Sequence, residues 1–190
     1  MAGDFENLAP LILVVGPSGV GKDALILGAG RQLAQDHRFH FARRIVTRPS
    51  QSGAEDHDSM TVTDFRRREA EGGFLLSWDA HGLSYGLPRE IAQSRTRGIA
   101  VVANVSRRVL DSACRELAPV CVLAVTAPAE ILAARLAARG RERDGDILVR
   151  LQRSAPALPE GAVEVANDVP LPQAINRFVA ALKQCHPICS

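Results

Sequence analysis

The run "LILVV" at 11–15 is apolar at every position and ends in glycine. An unbroken apolar run rich in β-branched residues predicts a strand buried on both faces, not one face of an exposed sheet. A glycine-rich loop follows, and "DALILGAGRQLAQ" continues with helical spacing. The same unit recurs later. "IAVVANV" (99–105) leads into the helical "SRRVLDSACREL", and "VCVLAVT" (120–126) leads into "PAEILAARLAARG", with Pro128 suited to a first helical turn. The short "AVEVAND" (162–168) precedes "PLPQAINRFVAALKQ". Apolar strands alternating with amphipathic helices predict an α/β fold, a parallel sheet sandwiched between helices.

Between 40 and 90 the rhythm breaks. "FARRIVT" reads as one strand, "RPSQSGAEDHDS" as a polar loop, and "TVTDFRRREAEGG" as a short helix closed by glycines. "FLLSW" and "GLSYG" read as a small hairpin. This stretch is expected to be a small lobe inserted into the α/β core.

Composition narrows the class. The 190 residues suit one domain, and a formal charge of +2 gives no footing for a nucleic-acid or membrane partner. Lys22 and Lys183 are the only lysines among 23 basic residues, which makes a lysine inside the glycine loop conspicuous. The opening "MAGDFENLAP" is acidic where a secretion signal is basic, and no apolar run reaches membrane-spanning length. A cytoplasmic protein with reduced thiols is the expectation. "CHPIC" at 185–189 lacks the second ligand pair a zinc site needs.

The chemistry lies in "GPSGVGKD", residues 16–23. Gly16, Pro17, Ser18, Gly19, Val20, Gly21 and Lys22 match the phosphate-loop pattern, and Asp23 stands where a serine or threonine is usual. Such a loop turns backbone N–H groups and a helix dipole toward one anion, and the lysine adds a point charge. ATP with Mg²⁺ is the expected cofactor pair. A carboxylate is an ordinary magnesium ligand, so Asp23 is the candidate metal residue. The opposing reading of that aspartate is a lost metal site.

Taken in order, "GPSGVGK", "TRP" (47–49), "GGFLLSW", "GLSYG" and "AARGRERDGDILVRL" resemble the guanylate kinase-like P-loop kinases from about residue 11 to about residue 182. "GPSGVGKD", "RRIVTRP", "LSWDAHGLSYG" and "ANVSR" resemble more narrowly the bacterial ribose 1,5-bisphosphate phosphokinases, whose loop also ends in aspartate. That resemblance implies phosphoryl transfer from ATP to ribose 1,5-bisphosphate, giving phosphoribosyl diphosphate in phosphonate breakdown. It also implies a core over about 11–39 and 97–182, an acceptor-binding lobe over about 40–92 and a lid over about 139–153. Gln51, Leu87 and Asn104 replace residues that guanylate kinases use, Asn104 standing for an acidic one. These departures argue against GMP as acceptor and for another small phosphorylated molecule.

Several residues take roles from the resemblance. Lys22, Arg139, Arg141 and Arg150 are the catalytic candidates, with Arg143 and Arg153 nearby. Arg48 and Tyr85 are the substrate-binding candidates, arginine being suited to bidentate phosphate contacts, and Ser106 and Arg107 join them because they follow "VVANV" at its carboxyl end, where open α/β sheets bind ligands. Trp78 and His81 could line the sugar pocket or serve packing, and Arg66, Arg67 and Arg68 read as solvated surface. A phosphomonoester acceptor, with a second pKa near ~6, is already largely dianionic and needs no general base. Rival readings are a kinase of GMP or another small phosphate, and a non-catalytic interaction module.

Overall fold

The structure is a computed structural model that describes residues 8–48, 57–138 and 157–187. Five parallel strands form the main sheet: β1 (Leu11–Val15), β2 (Phe39–Phe41), β7 (Ala100–Asn104), β8 (Val120–Thr126) and β9 (Val163–Ala166). Their order is β2-β7-β1-β8-β9. β1 is central, in register with both neighbours: Val14 faces Asn104 on β7 and Leu123 on β8.

All five residues of β1 are buried, and alternation sends them to opposite cores. Ile12 and Val14 join Leu25, Phe178 and Leu182, while Leu11, Leu13 and Val15 join Val109, Leu110 and Ala113. The first core is roofed by α1 (Lys22–Gln32) and the C-terminal helix α6 (Leu171–Cys185). In α6, Ala174, Phe178, Ala181 and Leu182 recur at helical spacing and are buried. Burial of Phe178 or Leu182 contributes roughly 2–3 kcal/mol each. The second core is covered by α3 (Ala92–Thr96) and α4 (Leu110–Glu116), and α5 (Ala129–Ala138) follows β8. The α/β sandwich expected from the alternation is present.

Residues 44–46, 57–59 and 74–88 carry a second sheet of order β4-β3-β6-β5. Its strands are β3 (Arg44–Val46), β4 (His57–Ser59), β5 (Phe74–Ala80) and β6 (Leu83–Pro88). The expected hairpin is β5–β6, antiparallel, turning at His81 and Gly82 with φ of 54° and 73°. The helix α2 (Val62–Ala70) starts at Thr61, whose hydroxyl accepts from the Asp64 N–H at 3.1 Å, a side-chain cap. Ile45, Phe65 and Phe74 form this sheet's own small core.

Three expectations need correction. "FARRIVT" is not one strand: Phe41 ends β2 in the parallel sheet, and Arg44 begins β3 in the second. An apolar pattern carries no mark of which sheet a residue joins. The polar "HDS", expected as loop, pairs with β3 as β4 because backbone pairing asks little of the side chains. The cysteines were expected to be reduced, yet Cys121 on β8 and Cys185 on α6 form a disulfide with Cα atoms 6.0 Å apart, and Cys114 is free. Cys189, Gln51 and the expected lid residues lie outside the described residues. Among the described residues, no helix is long and apolar enough to cross a membrane.

Candidate active site

In an open parallel sheet, ligands gather at the carboxyl ends of strands where neighbouring connections diverge. Here that point is the end of β1, between β7 and β8. The glycine loop sits there, and α1 starts directly after it with Gly21 at its cap, φ 94°, and no side-chain cap bond. The first N–H groups of the helix therefore remain available to an anion. Two glycines are required by space. A Cβ on Gly16 would lie 2.5 Å from the Val125 carbonyl oxygen, and one on Gly21 would lie 2.6 Å from Asn167 Nδ2.

Lys22 folds back over the loop, donating from Nζ to the carbonyls of Gly16 (2.8 Å) and Pro17 (3.1 Å). The far side of the loop is pinned from two elements. The Val20 carbonyl accepts from Asn167 Nδ2 at 2.7 Å and from Arg135 Nη1 at 3.2 Å. Arg135 Nη2 also donates to the Asn167 carbonyl at 3.1 Å, tying α5 to the end of β9. Asn167 is buried, 3% exposed, so its amide is committed to this task. Sequence reading passed over both residues; the only signal was a polar "ND" closing the last apolar strand.

Asp23 lies in the first turn of α1, where the helix dipole favours a carboxylate. Its Oδ1 accepts from Asn104 Nδ2 at 2.7 Å and stands 3.9 Å from Arg44 Nη2. Two departures noted separately in the sequence thus meet in one contact. The loop carries a carboxylate where a hydroxyl is usual, and the end of β7 carries an amide where the resemblance implies an acid. The pair retains a single negative charge, moved from strand to loop.

This donor set fits magnesium. The cation takes oxygen ligands and is commonly held by one or two carboxylates together with substrate phosphates. Asp23 offers a carboxylate that is 44% exposed, oriented by Asn104 and adjacent to the phosphate loop. Among the described residues no cluster of three or more His, Cys, Asp or Glu offers a protein-only alternative.

The second sheet approaches this point through Arg44. Its side chain is only 11% exposed, and its guanidinium carbon lies 5.7 Å from the centre of the Tyr85 ring. Tyr85 stacks in turn on Trp78, with centroids 5.5 Å apart and planes 7° from parallel. Asn104, Asp23, Arg44, Tyr85 and Trp78 form a continuous chain from main sheet to second sheet. Arg44 is the residue sequence reading missed: "FARRIVTRP" holds three arginines, and nothing in the string says which meets the loop.

The other candidates fall as follows. Arg48 lines a pocket of about 330 Å³ with Thr47, Ser59, Met60, Thr61 and Val62. Ser106 and Arg107 follow β7 at its carboxyl end, and Ser106 Oγ accepts from the Arg108 N–H at 3.3 Å. His81 is exposed in the hairpin turn. Arg66, Arg67 and Arg68 do not converge, as expected, yet each is paired: Arg66 with Asp79 and Glu69, Arg67 with Asp64, Arg68 with Glu90. Ser84 and the Arg66 guanidinium hold the Asp79 carboxyl below its ordinary pKa, and Ser77 and Arg66 do the same for Glu69. Arg139, Arg141, Arg143, Arg150 and Arg153 lie outside the described residues.

Fold and phosphate loop define the class. The chain superposes on guanylate kinase from Anaplasma phagocytophilum with a TM-score of 0.70 at 13% identity, covering 95% of this chain and 88% of that one. A gluconokinase from Sinorhizobium meliloti gives 0.52 at 18%, covering 95% of each. The architecture is that of a guanylate kinase-like P-loop kinase. Sequence relatives narrow it further. Ribose 1,5-bisphosphate phosphokinase PhnN from Rhodopseudomonas palustris is 51% identical over 158 residues, 83% of this chain and 81% of that protein. The enzyme of that name from Methylobacterium radiotolerans is 46% identical over 175 residues, 92% of this chain and 98% of its own length. The chain belongs to the ribose 1,5-bisphosphate phosphokinase family. It also matches a bifunctional ribose 1,5-bisphosphokinase-thymidine phosphorylase from Cupriavidus pinatubonensis at 49% identity, spanning 94% of this chain but 30% of that protein. No protein-family profile matches the sequence.

Proposed function

We propose that this protein transfers the γ-phosphoryl group of ATP to the 1-phosphate of ribose 1,5-bisphosphate, forming 5-phospho-α-D-ribose 1-diphosphate and ADP. An oxygen of the acceptor's 1-phosphate forms the new bond to the γ-phosphorus. The bond from that phosphorus to the β–γ bridging oxygen breaks, and ADP leaves with the electron pair. The acceptor oxygen carries no proton when dianionic, so no base is required. The protein's task is to bring two polyanions together in line and neutralise them.

The loop Gly16 to Asp23 receives the nucleotide phosphates on its backbone N–H groups, and Lys22 leaves the Gly16 and Pro17 carbonyls to meet them. Arg135 and Asn167 hold the Val20 carbonyl so that the loop stays open in the binding shape. Asp23, oriented by Asn104, holds Mg²⁺. Bound there, the cation supplies charge neutralisation on the phosphate oxygens. The second sheet is the acceptor lobe, with Tyr85, Arg48, Ser106 and Arg107 as the groups offered to the sugar bisphosphate. The cytoplasm and a route of phosphonate breakdown are the setting this reading implies.

The observation that carries the proposal is Lys22 poised on the loop carbonyls at the end of β1, in a chain of this family. ADP release measured with ribose 1,5-bisphosphate, GMP and gluconate tests it, with ³¹P NMR to identify a new diphosphate. Turnover with ribose 1,5-bisphosphate and a diphosphate product are expected. Turnover with GMP alone would refute the acceptor, and no turnover with any of the three would refute the kinase.

A further inference from the structure

We infer that Trp78 is a positioning residue for the acceptor: its indole fixes the plane of the Tyr85 ring relative to the main sheet, and through Tyr85 it sets affinity for the sugar bisphosphate. The inference rests on the proposed function, which offers Tyr85 to that acceptor. Trp78 on β5 and Tyr85 on β6 are paired directly across the hairpin, so both side chains stand on one face of the second sheet. Their ring centroids are 5.5 Å apart and their planes 7° from parallel. Parallel rings at that separation are offset, the arrangement in which two aromatic quadrupoles attract. β6 lies between β5 and β3, so Tyr85 is met by Trp78 from one neighbour and by Arg44 from the other, its guanidinium carbon 5.7 Å from the ring centre.

What gives the stack its role is where Trp78 is anchored. The second sheet has a small core of its own in Ile45, Phe65 and Phe74. Trp78, partly buried, packs instead against the core of Leu11, Leu13 and Val15 on β1 and Leu87 on β6. β1 is also the strand that runs into the phosphate loop. An indole has only two side-chain torsions, so a packed one is a rigid strut. It ties the ring of an acceptor residue to the frame that holds the donor site, and in-line transfer tolerates little misplacement between the two. The opposite face of the hairpin is held differently. Ser84 Oγ donates to Asp79 Oδ1 at 2.6 Å, and Arg66 Nη2 reaches both residues from α2. Those contacts bind the hairpin to its own lobe and supply an internal control.

The chain has one tryptophan and one tyrosine, so replacing Trp78 leaves Tyr85 as the sole emitter of its class. Tyr85 fluorescence anisotropy is expected to be lower in Trp78→Leu than in Trp78→Phe, which keeps a ring to stack. Calorimetry with ribose 1,5-bisphosphate should give a Kd about 5-fold higher in Trp78→Leu than in the unsubstituted protein, the scale of one aromatic pair. Trp78→Phe should stay within about 2-fold, as should the binding of non-hydrolysable Mg·AMP-PNP to all three proteins. Tyr85→Phe keeps the ring without its hydroxyl, and in that background Trp78→Leu should add less than about 2-fold, because the two residues act as one unit. Arg66→Gln, on the opposite face, should leave acceptor Kd unchanged. Equal anisotropy in the two Trp78 variants, an undiminished Trp78→Leu effect on top of Tyr85→Phe, or a parallel loss of Mg·AMP-PNP binding would each overturn the inference. Should Trp78→Leu prove unfolded by circular dichroism, Trp78→Met, unbranched and adaptable, takes its place under the same expectations. If the unsubstituted protein binds GMP and not ribose 1,5-bisphosphate, the proposed acceptor fails, while the anisotropy and the same cycle run with GMP still decide the role of Trp78.

Discussion

Two arginines mark the two ends of the main sheet, and they meet different surroundings. Arg95, on α3, lies under the N-terminal ends of the strands with 3% of its surface exposed. Nε donates to the Ala9 carbonyl at 2.9 Å, and Nη2 donates to the carbonyls of Leu117 (2.8 Å) and Pro119 (3.0 Å). Those acceptors are neutral backbone groups, and burial pushes the guanidinium pKa below its ordinary value. Arg44, at the carboxyl end, stands instead 3.9 Å from the half-exposed Asp23 carboxylate and beside the Tyr85 ring. A buried arginine that ends on carbonyls holds structure together. One that meets a carboxylate beside a phosphate loop stands where anionic ligands are drawn.

That contrast can be broken by substitution. The largest effect belongs to the carboxyl end: Lys22→Ala should lower kcat about 1000-fold with the thermal midpoint little changed, measured by ADP release and calorimetry. Wild-type turnover would remove Lys22 from the donor site. At the opposite end, Arg95→Leu should cost about 3 kcal/mol or more of unfolding free energy by denaturant titration, because three carbonyls lose a shared donor. Nucleotide affinity in that variant should be unchanged, and a weakened Kd with intact stability would dissolve the distinction between the two ends.

Asn167→Ala sits between these extremes, since Arg135 still reaches the Val20 carbonyl. We expect about 1–2 kcal/mol in ATP binding, roughly a tenfold rise in Kd, from a loop less well held. An unchanged Kd would mean that Arg135 alone suffices. The smallest effect is one of pH on the second sheet. Asp79 and Glu69 have folded-state pKa values lowered by their hydrogen-bond partners, so their stabilising contribution is present above the ordinary carboxylate range. It is lost as pH falls through the lowered values, from about 4.5 downward. Acid titration followed by Trp78 fluorescence should show this loss, and Arg66→Gln should reduce it.

The main sheet was legible because its three central strands are buried on both faces. "LILVV", "IAVVANV" and "VCVLAVT" have no polar side, and only a two-layer helical cover can bury them. The phosphate loop was legible because its backbone shape needs glycine at set intervals. The second sheet was read only in part. β5 and β6 announce themselves through turn chemistry, whereas β4 is three polar-leaning residues whose pairing depends on β3 being alongside. The break between β2 and β3 falls at Ala42 and Arg43, where no glycine or proline marks a change of sheet.

Local order along the chain determined the α/β sandwich, the phosphate loop, Lys22 at its mouth and an aspartate after it, since each depends on residues within one turn or one strand. Tertiary structure alone decided that Asn104, 81 positions away, orients Asp23. It also decided that Arg44, not another arginine of its run, meets that carboxylate, and that Asn167 pins the loop. The physical reason is that these contacts are set by which strand ends the sheet order brings together, and strand order follows from burial summed over the whole domain.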